Sequence, residues 1–251
     1  MKFFFYDFGT QKDAAAIAAA TETMIEATRA YDRHETLMLF VLVDEDALNE
    51  VMELVERPYV KISSRSCSST SRGGLGAAEL KARGADMTTI HAEGSSHTSE
   101  AVRVLAEPFT LALQTGLKAM LFVGEPAGLP LADAERALFA SLAVLLADVP
   151  AEAMLRFCTC YLPPDGAGLN ADTREKLLHV RRCVDDLLPL APEQLPVGYG
   201  GPVTPEEARA LLADERIDAL FVRAEDWTPA AYGTLMQTVM TDEAARQQRG
   251  R

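Results

Sequence analysis

Short apolar runs rich in β-branched and aromatic residues alternate along this chain with longer stretches of helical period. The runs predict strands at about 2–8 (KFFFYDF), 37–43 (LMLFVLV), 59–63 (YVKIS), 87–91 (MTTIH), 119–123 (AMLFV), 154–160 (MLRFCTC), 195–199 (LPVGY) and 217–222 (IDALFV). They are continuously apolar rather than alternating, as strands covered on both faces are. Helical patterns fall between them over 14–31, 45–55, 77–83, 99–117, 132–147, 173–187, 205–212 and 229–240. Two of these helices carry strong start signals. Thr204-Pro205-Glu206-Glu207 supplies an N-cap hydroxyl, a proline in the first turn and a capping-box glutamate, and Thr228-Pro229 repeats the first two. Strand and helix in alternation imply a parallel sheet. Eight such units in 251 residues predict a (β/α)8 barrel forming a single domain over 1–251, with RQQRGR at 246–251 as a frayed end.

Charge narrows the partners. Asp and Glu outnumber Lys and Arg by 37 to 24, and a net charge of −13 repels phosphodiester backbones and anionic lipid headgroups, so neither nucleic acid nor membrane is an expected partner. The first apolar run, MKFFFYDFG, is short, interrupted by Asp7 and without a small-residue cleavage site. It reads as a first strand rather than a secretion signal or membrane span, and the expected location is cytoplasmic. Cys67, Cys158, Cys160 and Cys183 follow no disulfide-framework spacing, so reduced thiols are expected.

Local motifs go further than topology. YGGPV at 199–203 resembles the YGGSV that follows strand 7 in triosephosphate isomerases, and TPEEARALLADERIDAL after it resembles that family's next helix and strand 8. LQTGLKAMLFVGE at 113–125 is similar to the family's strand 5 with its terminal Val-Gly-Glu. RGGLGAAELKARGAD at 72–86 resembles the family's third loop and following helix, with Gly73, Leu80, Lys81, Gly84 and Ala85 in register. The resemblance covers roughly residues 60–235, extends weakly through the first two strands, and implies a triosephosphate-isomerase-like barrel.

The chemistry implied by that resemblance is an aldose–ketose isomerisation through an enediolate. It needs a carboxylate base, an electrophile at the carbonyl, a cation for the developing oxyanion and amides for phosphate. The family places a Glu after strand 6, a His after strand 4, a Lys after strand 1, and glycine-rich turns after strands 7 and 8. Here CTCYLPPDGAGL at 158–169 keeps the lid glycines Gly166 and Gly168, and counting back from them puts Cys160, or with a one-residue shift Thr159, at the glutamate position. In IHAEGSS at 90–96, His91 and Glu93 match with one deletion, while an ungapped register puts Ala92 at the histidine position. After strand 1 the nearest lysine is Lys12, with Thr10 in the ungapped slot. Gly200 and Gly201 are retained, but Pro202 replaces a serine and loses both hydroxyl and amide. Arg223 and Ala224 replace a glycine pair, and Glu225 and Asp226 follow where an anion would meet bare amides. A small anionic metabolite is the ligand class implied by the resemblance, with Arg223 to meet it or to fill its pocket.

Loss at the base, the lysine, the serine and the glycine pair together points to a barrel whose isomerase activity has been lost and whose role is non-catalytic or unknown. The alternative is an active sugar-phosphate isomerase, or a repurposed barrel enzyme, using His91, Cys160 and Arg223. Cys158 and Cys160, two apart on one strand, face the same way, so a zinc site or Cys/His nucleophile with His91 is weighed against plain filling of an apolar interior. Interior filling is the stronger reading. No metal or cofactor is expected. His34, His97 and His179 read as solvated or capping residues. The polar stretch at 63–74 corresponds to the loop that the family inserts into a neighbouring subunit, which implies a homodimer; a mobile surface loop is the plainer reading.

Overall fold

The computed structural model describes residues 1–31, 37–55, 58–68, 75–93, 99–190 and 194–249. Eight parallel strands close into a barrel in chain order: β1 Lys2–Asp7, β2 Leu37–Val43, β3 Val60–Ser64, β4 Met87–His91, β5 Lys118–Val123, β6 Phe157–Tyr161, β7 Val197–Tyr199 and β8 Ala219–Arg223. The barrel closes where Phe3 to Asp7 of β1 pair with Ala219 to Arg223 of β8. Helices follow the strands: α1 Ala14–Ala27, α2 Leu48–Leu54, α3 Ala77–Ala82, α4 Ser99–Gln114, α5 Leu131–Leu146, α6 Ala171–Leu187, α7 Pro205–Leu212 and α8 Pro229–Arg249. The fold is therefore a (β/α)8 barrel.

Both faces of the strands are covered, which explains their unbroken apolar runs. Phe5, Phe40, Met87, Met120, Phe122, Cys158, Cys160 and Phe221 fill the lumen. Phe5 stacks on Phe40 at 4.7 Å, and Phe122 meets Phe221 edge-on at 4.8 Å. The outward residues, such as Phe4, Tyr6 and Val41, join the helices in a second, larger cluster. Gly198 on β7 lets the neighbouring strand β8 approach closely, since a Cβ there would stand 2.5 Å from that of Ala219. The lumen is thus a packed core and not a pore.

The helix starts follow their local chemistry. Thr204 accepts from the Glu207 amide (3.2 Å), and Glu207 Oε2 accepts from the Thr204 amide (2.8 Å), completing the expected capping box. Thr228 Oγ1 caps α8 through the Ala231 amide. α6 begins two residues earlier than its pattern predicts because Asn170 and Thr173 form a reciprocal box, with threonine in the place of the usual Glu or Gln. β6 begins at Phe157 rather than 154: Ala151–Ala153 form a 3₁₀ turn, and Leu155 is exposed. β7 begins after Pro196, which has no amide to donate. Asp44 Oδ1 accepts from the Asp46 amide, so a turn replaces the expected start of α2. The expected frayed end is corrected over 246–249, where α8 continues to Arg249 and Arg246 donates to the Ala213 carbonyl and pairs with Glu243; residues 250 and 251 lie outside the described part. No helix among the described residues is long and apolar enough to cross a membrane.

The last helix fastens the closure. Buried Tyr232 on α8 places its hydroxyl against the Phe5 amide (3.1 Å) and the Leu220 carbonyl (3.0 Å), on the two strands that meet there. Tyr6 donates to the Trp227 carbonyl at 2.5 Å, and burial pushes its phenol up to about 12.

Candidate functional site

The strands deliver their last inward-facing residues to the C-terminal mouth of the barrel. A cavity of about 510 Å³ opens there between the loops after β4, β5, β6, β7 and β8. Its walls include Gly166, Gly200, Gly201 and Arg223, four of the residues singled out from sequence; His91, Cys160 and Gly168 do not line it. Four carboxylate residues, Glu93, Glu125, Asp165 and Asp226, stand around it with Arg223 as the only cationic residue on its walls among those described.

His91 ends β4 with its ring stacked on Phe122 at 4.7 Å. Its Nδ1 donates to Glu93 Oε1 (2.7 Å), and its Nε2 lies 3.1 Å from Thr89 Oγ1. Both ring nitrogens are thus engaged within their own strand and loop. Cys160 lies one inward-facing position below the mouth, only 1% exposed. The barrel register sets Phe122 beside His91 on one side and beside Cys160 on the other. Burial holds the thiols of Cys158 and Cys160 well above their ordinary value, so neither is poised as a thiolate. Among the described residues no group of three or more His, Cys, Asp and Glu side chains is arranged to hold a metal. His34 and His97 lie outside the described residues. His179 is neither solvated nor capping. It sits on α6 with Nε2 2.9 Å from the Glu135 carbonyl on α5 and 3.2 Å from Cys183 Sγ, a contact between helices.

The residue that reaches the mouth from β6 is Leu162. It packs against the lumen cluster, and its side chain crowds Gly200, where a Cβ would stand 3.2 Å from Leu162 Cδ1 and 3.1 Å from Cys160 Sγ. Gly201 is hemmed in further, since a Cβ there would stand 2.3 Å from the Tyr199 hydroxyl and 2.6 Å from Pro163 Cγ. Beyond Leu162 the chain runs through Pro163 and Pro164 into a 3₁₀ turn, where Asp165 adopts φ 54° and Gly166 φ 65°. Proline fixes φ at two successive positions in this stem, and a non-glycine residue in the left-handed region follows.

Glu125, after β5, is 1% exposed. Its Oε1 accepts from Lys176 Nζ on α6 (2.7 Å) and from the Tyr161 hydroxyl (3.2 Å), while its Oε2 has no partner. Burial, with Glu125 beside it, pushes the Tyr161 phenol up. Glu93 is held likewise: Oε1 meets His91, and the buried Oε2 is unpaired. Sequence reasoning assigned no role to Glu125, Leu162 or Lys176. Counting forward from Tyr161, rather than back from the lid glycines, is the signal that finds Leu162.

A second cavity, about 470 Å³, lies at the β1–β8 side of the mouth and is lined by Asp7, Gly9, Thr10, Arg65, Arg223 and Glu225 among others. Asp7 and Arg65 form a bidentate pair across it, with Nε to Oδ1 at 2.6 Å and a terminal nitrogen to Oδ2 at 3.3 Å. Lys12 points away, bound to Asp46 and 3.8 Å from Asp44, with 58% of its side chain exposed. Three amides of the turn after β8 are engaged. Ala224 donates to the Asp7 carbonyl (2.8 Å), and Asp226 and Trp227 both donate to the Arg223 carbonyl (3.0 Å each). Arg223 approaches Glu225 at 3.8 Å.

The stem of the 63–74 loop is anchored. Ser66 and the Leu75 amide both donate to the Glu45 carboxylate, and the Ser68 amide donates to the Leu75 carbonyl. Residues 69–74, including Gly73, lie outside the described part.

Parallel strands closed into a barrel, with cavities walled by the loops at their C-terminal ends, define a (β/α)8 barrel of the class that builds its binding sites at that mouth. Residues 8–239 match the sequence profile of triosephosphate isomerase, and the chain belongs to that family. Comparison with individually curated proteins finds no significant match.

Proposed function

We propose that this chain is a triosephosphate isomerase family barrel that no longer interconverts triose phosphates and serves a non-catalytic role. The observation that carries the reading is Leu162. Tyr161-Leu162-Pro163 leaves β6 in the same order as the family's Tyr-Glu-Pro, so an aliphatic side chain stands where the proton-abstracting carboxylate belongs. This register takes the place of the one that set Cys160 or Thr159 at the glutamate position. A hydrocarbon accepts no proton, and a missing base alone removes several powers of ten in rate.

The remaining machinery supports the same reading. In the turn after β8 the Ala224, Asp226 and Trp227 amides are bound to the Asp7 and Arg223 carbonyls, and Pro202 offers no amide after β7. Lys12 is tied to Asp44 and Asp46 outside the cavities. The Asp7–Arg65 pair occupies the neighbourhood where an oxyanion-stabilising lysine would act. The double-proline stem restricts the hinge that a closing lid would need. The enzymatic alternative built on His91, Cys160 and Arg223 draws no support, because Phe122 separates the first two and the thiol is held protonated by burial.

The anchored stem of the 63–74 loop supports a homodimer formed through that loop, for which sedimentation as a single species of twice the chain mass is the expected result. Four free thiols favour a reducing, cytoplasmic setting. A coupled assay with glyceraldehyde 3-phosphate is expected to show no turnover above buffer; enzyme-dependent dihydroxyacetone phosphate would overturn the central reading.

A further inference from the structure

We infer that His91 is a proton-operated latch, which fastens the stem of the 63–74 loop to β4 in acid and releases it as the pH rises. The inference starts from a count of hydrogens. The Thr89 hydroxyl donates to the Arg65 carbonyl, and a carbonyl only accepts, so the one hydroxyl proton is committed there. His91 Nε2 lies 3.1 Å from the same Thr89 oxygen and is therefore the donor in that contact. On the other side of the ring, Nδ1 lies 2.7 Å from Glu93 Oε1, and an ionised carboxylate accepts as well. A neutral imidazole has one N–H and one lone pair, so only the imidazolium completes all three contacts. When the ring gives up a proton, one contact is lost. The hydrogen bond from Nδ1 to a carboxylate is the strongest of the three and is kept. Nε2 then becomes an acceptor, and the Thr89 hydroxyl has to leave the Arg65 carbonyl to reach it.

That choice falls at a weak seam of the barrel. β3 and β4 pair only at Ser63 with Met87 and Ser64 with Thr88, whereas β4 and β5 pair over five residues, Met87 to His91. Beyond Ser64 the Thr89 hydroxyl carries the seam toward the mouth, while the Arg65 amide is held from the other side by the Val43 carbonyl (3.2 Å). Thr89 is 2% exposed, so water has little access to the contact. Arg65 leads directly into the anchored stem at Ser66 and Ser68, which inherits any loosening of the seam. The neighbouring charged and titratable groups are committed elsewhere. The Arg65 guanidinium is on Asp7, Glu125 after β5 is on Lys176, and Arg223, on the same cavity wall as Glu93, approaches Glu225. Phe122 of β5 stacks on the ring, and burial holds the Cys160 thiol of β6 protonated. The imidazole is left as the group that changes charge across this seam. The same loop carries the proposed homodimer, and the latch rests on that reading only for its effect on association.

Hydrogen exchange of the full chain, followed by mass spectrometry at about pH 5 and about pH 8.5, brackets the value of about 6.5 for a free imidazole and tests the latch. After correction for the intrinsic exchange rates, peptides covering 60–68 should lose about threefold to tenfold in protection at the higher pH, as expected for one hydrogen bond. Peptides covering β8, 219–223, should not follow them. Thr89→Val keeps the shape without the hydroxyl and should show the lower protection at both pH values. His91→Gln takes up no proton and should show no difference between them. Equal protection of 60–68 at the two pH values in the native chain, or an undiminished difference in His91→Gln, would overturn the inference. Should either variant fail to fold, the native chain decides alone. Sedimentation reports separately on association: a monomer with pH-dependent protection overturns the homodimer alone, and a dimer with level protection overturns the latch alone.

Discussion

The two ends of the barrel treat buried charge in opposite ways. At the N-terminal end, Arg181 of α6 is 3% exposed, and its guanidinium reaches Asp218 (2.5 Å), the Leu195 carbonyl (2.8 Å) and the Arg216 carbonyl (3.2 Å). Lys2 donates to the Ile217 carbonyl at 2.6 Å, and burial lowers its pKa. Asp218 also accepts from the Val197 amide; burial raises its pKa, but Arg181 and Lys2 oppose the shift. At the C-terminal mouth, Glu93 and Glu125 each keep a buried oxygen without a partner. Ser63, Thr88 and Thr159 also have unpaired buried hydroxyls, but these are neutral and cost far less than a carboxylate oxygen. A charge network closed upon itself joins strands to helices and serves stability. One with a buried oxygen left unpaired keeps part of its charge uncompensated, at some expense of stability.

The largest effect should come from opening the closed end. Arg181→Met leaves Asp218 and two carbonyls without their donor and should cost about 3–5 kcal/mol in urea denaturation, with much of it recovered in Arg181→Met/Asp218→Leu. A cost below about 1 kcal/mol would remove the contrast between the ends. Next, Leu162→Glu places a carboxylate against Gly200 and Phe221 and should destabilise by about 1–3 kcal/mol, without restoring turnover of glyceraldehyde 3-phosphate. Restored turnover would mean that the phosphate site survives. Arg65→Ala removes a partly exposed bidentate pair from Asp7 and should cost about 1–2 kcal/mol, less at high salt. A smaller effect is read against pH. Hydrogen bonds from Arg216, and then from Arg174, hold the Asp214 carboxyl well below its ordinary 3.8. A depressed pKa contributes stability that is present above the ordinary value and lost as pH falls toward the folded one. The advantage of the native chain over Asp214→Asn should therefore hold at neutral pH and shrink below about pH 3.8. Smallest of all, Glu93→Gln removes the charge from that unpaired oxygen while keeping an acceptor for His91, and should raise stability in urea denaturation by about 0.5–1 kcal/mol.

Much of the scaffold was legible from the chain because barrel strands covered on both faces are unbroken apolar runs, and KFFFYDF and LMLFVLV have no other plausible setting. Boundaries slipped where chemistry other than hydrophobicity decides: at Pro196, which cannot donate, and at Met154-Leu155, apolar residues left in a turn. The mouth was harder. Gly200, Gly201 and Arg223 fall at strand ends that motifs locate well, whereas the motif after β4 left His91 and Ala92 as alternatives. Cys160 and Leu162 differ by one inward-facing step on β6, and glycines counted across a loop of uncertain length cannot resolve that step. Glu125 sat in plain view in Val-Gly-Glu, but its unpaired oxygen depends on Lys176, 51 positions away, and on Tyr161.

The Tyr232 fastening has a consequence for how the chain is made. β1 leaves a ribosome before the other seven strands, yet one of its edges pairs with β8, and the hydroxyl that secures the seam comes from α8. Throughout synthesis the β1 edge, carrying Phe3, Phe4 and Phe5, waits for a partner more than two hundred residues downstream. Contacts of such separation form late, and an open aromatic edge invites pairing between nascent chains. The arrival of α8 therefore ends the interval in which this barrel is most prone to aggregate.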